Sequence, residues 1–409
     1  MPKFSTYYPA LRRCAVAATI LLMCLVACTS TPTKISEKER KEAAERVKRT
    51  PAVPDSLAAL EKTFNQEGNA IGRMIAFREW GKSLRNESRF DEALQVHSEG
   101  LHLAETLNDT LEWIQALNNI GTNYRRLGIL DAAQEYHYTA WKMSEVSADT
   151  SFSAQKNRVI SLNGLGNIYM TLGNLQRADS TFRLALAGEK KLKSGTGQAI
   201  NYANLGSIFS QRHQLDSAWV YFRKSMQLNE REHNKIGISL CHNYFGELYE
   251  AEKDYVSAYR EYEAALTIMK ASKDDWHAMP TLIALAHIDY VTGKIDNALA
   301  ILQKAEATAR RIKSKEHLAE IYNLYYLIYY KQGAYQQALT HHLEATALKD
   351  SVVGAEKTNR IQNISLNIER RRQAELVTRS EQALSQERSR RYLTLGIGIT
   401  LFALVGSFT

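Results

Sequence analysis

LNGLGNIYMTLGNLQRADSTFRLAL, residues 162–186, reads as two helical stretches joined by a turn. Apolar side chains recur at three- and four-residue intervals on either side of Gly173, which is the helical period. Glycine at that point suits the left-handed backbone that closes a helix. The stretch belongs to a register. Ala178 is one of seven alanines, Ala93, Ala133, Ala178, Ala218, Ala258, Ala298 and Ala338, spaced 40, 45, 40, 40, 40 and 40 residues apart. Twelve residues before each stands Gly81, Gly121, Gly166, Gly206, Gly246 or Ala286, with Tyr326 in the seventh case. Self-similarity at a fixed period marks a repeat architecture, in which no unit buries its apolar face alone.

Turn chemistry repeats as well. Gly128, Gly173, Gly293 and Gly333 lie five residues before the key alanine. Asp91, Asp131, Asp216 and Asp296 lie two before it, where each suits a helix N-terminus as a cap or as a charge favoured by the dipole. Small residues at the repeated glycine positions let the two helices of a unit approach closely. DSLAALEKTFNQEG reads as an N-terminal capping helix, and a five-residue excess around SEVSADTSFSA reads as a longer loop.

These residues resemble the tetratricopeptide repeat family. The resemblance is carried by Leu165, Gly166, Tyr169, Ala178, Phe182 and Ala185, and again by Leu205, Gly206, Phe209, Ala218 and Phe222. It spans residues 69–350 and implies an all-α, right-handed superhelix of about seven 40-residue helix-turn-helix units. The forty-residue period exceeds the usual period of about 34 and is similar to that of peptide-binding repeat proteins. His97, His137 and His342 depart from the pattern, standing where the family prefers a large aromatic, and Asp289 replaces an expected tyrosine.

The resemblance also implies a groove. In the family, positions five and nine of each first helix face it. Here these are Asn118, Asn163, Asn243 and Asn323, then Thr122, Asn167, Ser207 and Glu247, with Asn204 one residue beyond position five. An amide carries both donor and acceptor, so this ladder suits the backbone of an extended peptide or protein ligand. The alternative is asparagine on a solvated groove wall.

The two ends speak to location. Lys3, Arg12 and Arg13 precede CAVAATILLMCLVA, residues 14–27, an uncharged run of signal-peptide length. It closes on Leu25-Val26-Ala27-Cys28, which resembles a bacterial lipobox with Cys28 as the lipidated residue. The alternative is an uncleaved anchor. Residues 28–54 read as a polar linker, and 351–391 as a charged helix. In that helix Ile361, Ile364 and Ile368 form a short apolar stripe, either a weak coiled coil able to pair two copies or a solvated connection. Tyr392–Thr409 reads as a transmembrane helix: at about 1.5 Å per residue it covers about 27 Å.

No catalytic motif is present, neither HExxH nor paired CxxC, and no cofactor or metal is expected. The net charge of +8 is concentrated in the tails and calls for no nucleic-acid partner. The order of parts resembles the input half of one-component and hybrid membrane sensors of Gram-negative bacteria. Those carry a LuxR-type helix-turn-helix or histidine kinase output, and neither occurs in this sequence, which reads as truncated after its membrane span. The expectation is a non-catalytic module in the cell membrane, repeats facing the periplasm, binding a peptide or protein as the sensory part of a transmembrane regulator. The alternatives are a complete envelope lipoprotein scaffold and, more distantly, an enzyme accessory subunit.

Overall fold

The computed structural model describes residues 37–353 except Lys273, together with a few positions between 378 and 389. Two helices, α1 (Glu37–Arg49) and α2 (Pro54–Gln66), precede seven consecutive pairs. These are α3 (Ala70–Asn86) and α4 (Phe90–Thr106); α5 (Thr110–Arg126) and α6 (Leu130–Val146); α7 (Phe152–Thr171) and α8 (Leu175–Lys191); α9 (Gly195–Gln211) and α10 (Leu215–Arg231). The remaining pairs are α11 (Lys235–Ala251) and α12 (Tyr255–Ser272); α13 (Asp275–Val291) and α14 (Ile295–Arg311); α15 (Lys315–Lys331) and α16 (Tyr335–Val353). No strand occurs among the described residues. The chain divides into two compact units, one of residues up to 123 with 139–161, the other of 124–138 with 162 onward.

The alanine register is the packing register. All seven key alanines are at most 2% exposed. Four residues beyond Ala178, Ala218 and Ala258, an aromatic ring lies over the small residue of the partner helix. A methyl group on Gly166 would stand 2.5 Å from the Phe182 ring, and one on Gly206 or Gly246 would stand 2.6 Å from Phe222 or Tyr262. One of the histidine departures keeps this geometry, and a second packs on the following helix instead. His97 covers Gly81, and His137 lies against Gly164. Burial, with Arg85, Lys82 and Arg78 nearby, holds His97 well below the ordinary imidazole range, so a neutral ring replaces the aromatic.

The turns follow the glycine register further than glycine itself does. Gly128, Gly173, Gly293 and Gly333 have φ between 72° and 84°. Ser88, His213 and Lys253 hold the same position in their own units at φ of 57–64°, so the turn imposes the conformation whatever the residue. The aspartates at the second helices act through the dipole. Asp91, Asp216 and Asp296 lie in the first turn, while the capping positions are Arg89, Gln214 and Lys294, which make no side-chain cap.

Side-chain caps occur at the first helix of every pair and, among the described residues, at only two of the second helices, where Asn174 and Asp254 accept from Arg177 N and Ser257 N. Asn69, Asp109, Ser151, Ser194, Asn234, Asp274 and Ser314 each accept from the backbone N–H three residues on. Most of these caps are also 40 residues apart, a second register parallel to the alanines.

Two expectations change. Residues 28–54 are not a tether throughout: α1 buries Ala43 and Val47 on the first unit's core, and Arg40 pairs with Glu112 and Asp109. The five-residue excess is divided between a loop at 147–151 and an α7 of 20 residues, three longer than the 17 of α5 or α9. Among the described residues no helix is long and apolar enough to cross a membrane. The span expected at 392–409, Cys28 and most of the helix expected at 351–391 lie outside the described residues. Residues 384–389 are helical and exposed.

Candidate functional site

In the second unit the chain returns on itself. Arg126, at the end of α5, stacks its guanidinium 3.2 Å from the centre of the Trp276 ring on α13 and donates through Nη2 to His277 Nε2 at 3.2 Å. With Nε2 accepting, His277 donates from Nδ1 to Asp274 Oδ2 at 2.5 Å. Burial and the neighbouring Arg126 lower the His277 pKa, and push His317 down to about 3. Both rings are therefore neutral near pH 7 and leave the cation on arginine. Val352, near the end of α16, packs on Leu130 and faces Gly128.

A cavity of about 770 Å³ lies within this unit. Its α15 wall presents Glu316, Glu320 and Asn323, at a spacing of four and three residues that places them on one helix face. The α16 wall presents His342, Thr346 and Lys349 by the same spacing, and the ends of α7 and α9 contribute Met170, Thr171 and Gln211. Amide, hydroxyl, carboxylate and ammonium groups therefore share one space of ligand-pocket size.

The electrostatics of this face are unbalanced. Burial, with Glu316 and Glu247 nearby, raises the Glu320 pKa to about 8; burial and Glu250 raise Glu247 to about 7. Both side chains keep accessible surface, so solvent screens part of this effect. An acid raised in the folded state contributes stability that is fully present below its unfolded pKa and is lost as pH rises through the folded value. Stability should thus fall between about pH 4.5 and 8, and a Glu247→Gln, Glu320→Gln variant should melt higher than wild type at pH 8, by a margin that closes as pH falls to about 4. Equal melting temperatures at pH 8 would contradict the assignment.

The asparagine ladder is not one surface. Asn118 and Thr122 lie in the first unit, where Asn118 donates to Asn157 O at 3.1 Å and accepts from Ser161 Oγ at 2.9 Å. Thr122 donates to Asn118 O. Asn243 is buried and accepts from Thr281 Oγ1 at 2.8 Å. These amides are engaged in helix–helix contacts and are not offered to a ligand. Asn167, Ser207, Asn163 and Asn204 are half-buried; Oδ1 of Asn163 and Nδ2 of Asn204 have no hydrogen-bond partner among the described residues. Glu247 and Asn323 are exposed, and Asn323 lines the cavity.

Sequence reasoning passed over Glu316, Glu320, His342 and Lys349. A signal was present for the last two. His342 and Lys349 stand 40 residues after Leu302 and Ala309, both fully buried beneath the next helix pair. Polar residues at these two positions go with the last described pair, which no further described pair covers. Among the described residues no group of three His, Cys, Asp or Glu side chains is placed to hold a metal ion.

The tetratricopeptide repeat profile matches residues 161–194, the unit with which the reading began. A solved Rap protein complexed with Competence and Sporulation Factor superposes with a TM-score of 0.57, covering 79% of this chain and 100% of that one at 13% identity. The chain is a helical repeat protein of the tetratricopeptide type. The Rap conjugation gene regulator of the plasmid pLS20, solved in complex with a Phr peptide, superposes equally well on this repeat protein: TM-score 0.57, 14% identity, 70% of this chain and 76% of that one. At such identities the likeness is one of fold. Over 182 residues the repeat protein is 24% identical to the 43 kDa receptor-associated protein of the synapse from Tetronarce californica. That match takes in 43% of this chain and 44% of the relative, so less than half of the relative's length is spanned. Repeats of this type are protein–protein interaction modules.

Proposed function

We propose that this repeat protein binds an extended peptide or protein segment in the cavity of its second unit and acts through binding rather than catalysis. The observation that carries the reading is the 770 Å³ cavity itself, lined by Asn323, two carboxylates and Lys349. It offers donors, acceptors and both charges within the space of a few residues, as peptide backbone with a charged side chain requires. Support comes from two proteins of the same fold, one solved with Competence and Sporulation Factor and one with a Phr peptide. Fold likeness alone would not carry it.

The sequence supports a location. The signal-like run at 14–27 and the apolar segment at 392–409 suit a module held at the cell membrane with its repeats in the periplasm, as the input part of a transmembrane transcriptional regulator or kinase. One observation favours a different use: the lipobox-like residues ending at Cys28 would suit a lipoprotein scaffold for envelope complexes.

Selection from a random peptide display library against the full chain tests the binding reading. Wild type should enrich peptides that an Ala319→Trp variant, with a bulky ring in the cavity, fails to hold. Ala319 lines the cavity and is only half-buried, so the replacement leaves the helix packing intact. Failure of the wild type to enrich any peptide, or equal binding by Ala319→Trp, would remove the reading.

A further inference from the structure

The first unit holds a second cavity, of about 400 Å³, which the peptide reading leaves unexplained. It lies where α1, the turn at Thr50 and Ala52, α2 and α3 meet. Val47, Leu57 and Ile75, all buried, supply an apolar floor with Ala44 beside them. Lys48, Arg78 and Lys82 line it from the polar side, against a single lining carboxylate, Glu79.

The polar groups fall into two sets. Thr50 Oγ1 donates to Arg46 O at 3.0 Å and Ser83 Oγ to Ala52 O at 2.9 Å, so both hydroxyls are engaged. Arg78 is held by Glu112 at 2.6 Å and by Glu79 at 2.9 Å. Oε1 of Glu79 also accepts from Lys82 Nζ at 2.9 Å, so one carboxylate oxygen serves two cations. Lys48 makes no ion pair with the described residues. Positive charge is in surplus beside an apolar floor. The Lys82 side chain keeps 38% of its surface accessible, yet burial lowers its pKa, and Arg78 and Arg85 lower it further, against the pull of Glu79. An anion would relieve that repulsion.

We propose that this cavity is a binding site for a carboxylate carried on a short aliphatic body, with Lys82 and Lys48 seating the anion and Val47, Leu57 and Ile75 receiving the apolar part. An acyl-chain acid and the free C-terminus of a peptide ending in leucine share that chemistry. The volume falls in the range of small-molecule pockets and admits several carbons beyond the carboxylate. The site is separate from the cavity of the second unit and stands whether or not a peptide binds there.

Calorimetric titration of the purified full chain at pH 7.5 tests it, with octanoate, octanamide, and acetyl-Gly-Leu as free acid and as amide. Each acid should bind more tightly than its own amide by about tenfold, the worth of one charge-assisted hydrogen bond. Lys82→Gln should abolish that preference while leaving the circular dichroism melt of wild type unchanged. Glu79→Gln, which removes the opposing charge, should strengthen octanoate, and Val47→Trp should eliminate both acids. Tighter octanoate would identify an acyl-chain acid as the ligand, and tighter acetyl-Gly-Leu a peptide C-terminus; either supports the site. Equal binding of acid and amide, no binding at millimolar concentration, or octanoate binding that survives Val47→Trp would overturn it.

Discussion

Glu112→Ala should destabilise the first unit by about 3–5 kcal/mol, the usual cost of removing one partner from a buried ion pair. Glu112 is 4% exposed and receives Arg40 Nη1 at 2.9 Å and Arg78 Nη1 at 2.6 Å, so its removal leaves Arg40 with Asp109 alone and Arg78 with Glu79 alone. Burial works against the charge on Arg78, and Glu112 and Glu79 outweigh it: the net effect holds the arginine pKa above its ordinary value. Arg40 lies on α1, so the same change should loosen that helix from the core. Chain-wide melting would blend the two compact units. Amide exchange at α1 and α3 is the better probe, and protection should fall there while the helices from α9 onward keep theirs. A loss below about 1 kcal/mol would mean that the pairs are solvated and weak.

Gly206→Leu should cost about 3 kcal/mol or more, since even its first carbon would enter the Phe222 ring. The Cβ alone would stand 2.6 Å from Phe222, a fully buried side chain that cannot swing aside without opening the pair α9/α10. Phe222→Ala by itself should cost about 3–5 kcal/mol through the cavity it leaves. The double variant should lose clearly less than the sum, because the leucine then fills that cavity. Urea denaturation of the four proteins gives the cycle. Additive losses would show that the glycine and the ring do not share one space.

Much of the fold was legible because repetition amplifies weak signals. One small residue twelve residues before one alanine means little, but six of seven in register, five of them glycine, state a close helix contact. His97 departed from the aromatic pattern without departing from the geometry, since a buried neutral imidazole fills the same space over Gly81. The caps of the first helices were equally periodic and went unread because three residue types, Asn, Asp and Ser, perform one role. The helix α1 was hidden by composition: in EKERKEAAERVKR only Ala43 and Val47 carry the buried face.

The site was less legible for a physical reason. Position in a repeat tells which way a side chain points, but a neighbouring unit decides whether it meets solvent. Asn118 and Asn243 sit at the expected groove position, and both are claimed by the helix pair that follows, through Asn157 and Ser161 or through Thr281. Asn323, in the last pair, has no such successor among the described residues and remains exposed. The last described pair is where one sequence rule yields a different surface.

Site-specific photo-crosslinking tests the central claim most directly. A benzoylphenylalanine would be placed at Thr346, inside the cavity of the second unit, or at Leu184, an exposed position 54% accessible that does not line it. Each protein would then be irradiated with a peptide enriched on wild type. The account predicts a covalent adduct from position 346 and none from 184. Adducts from 184 alone, or equally from both, would contradict a peptide seated in the cavity.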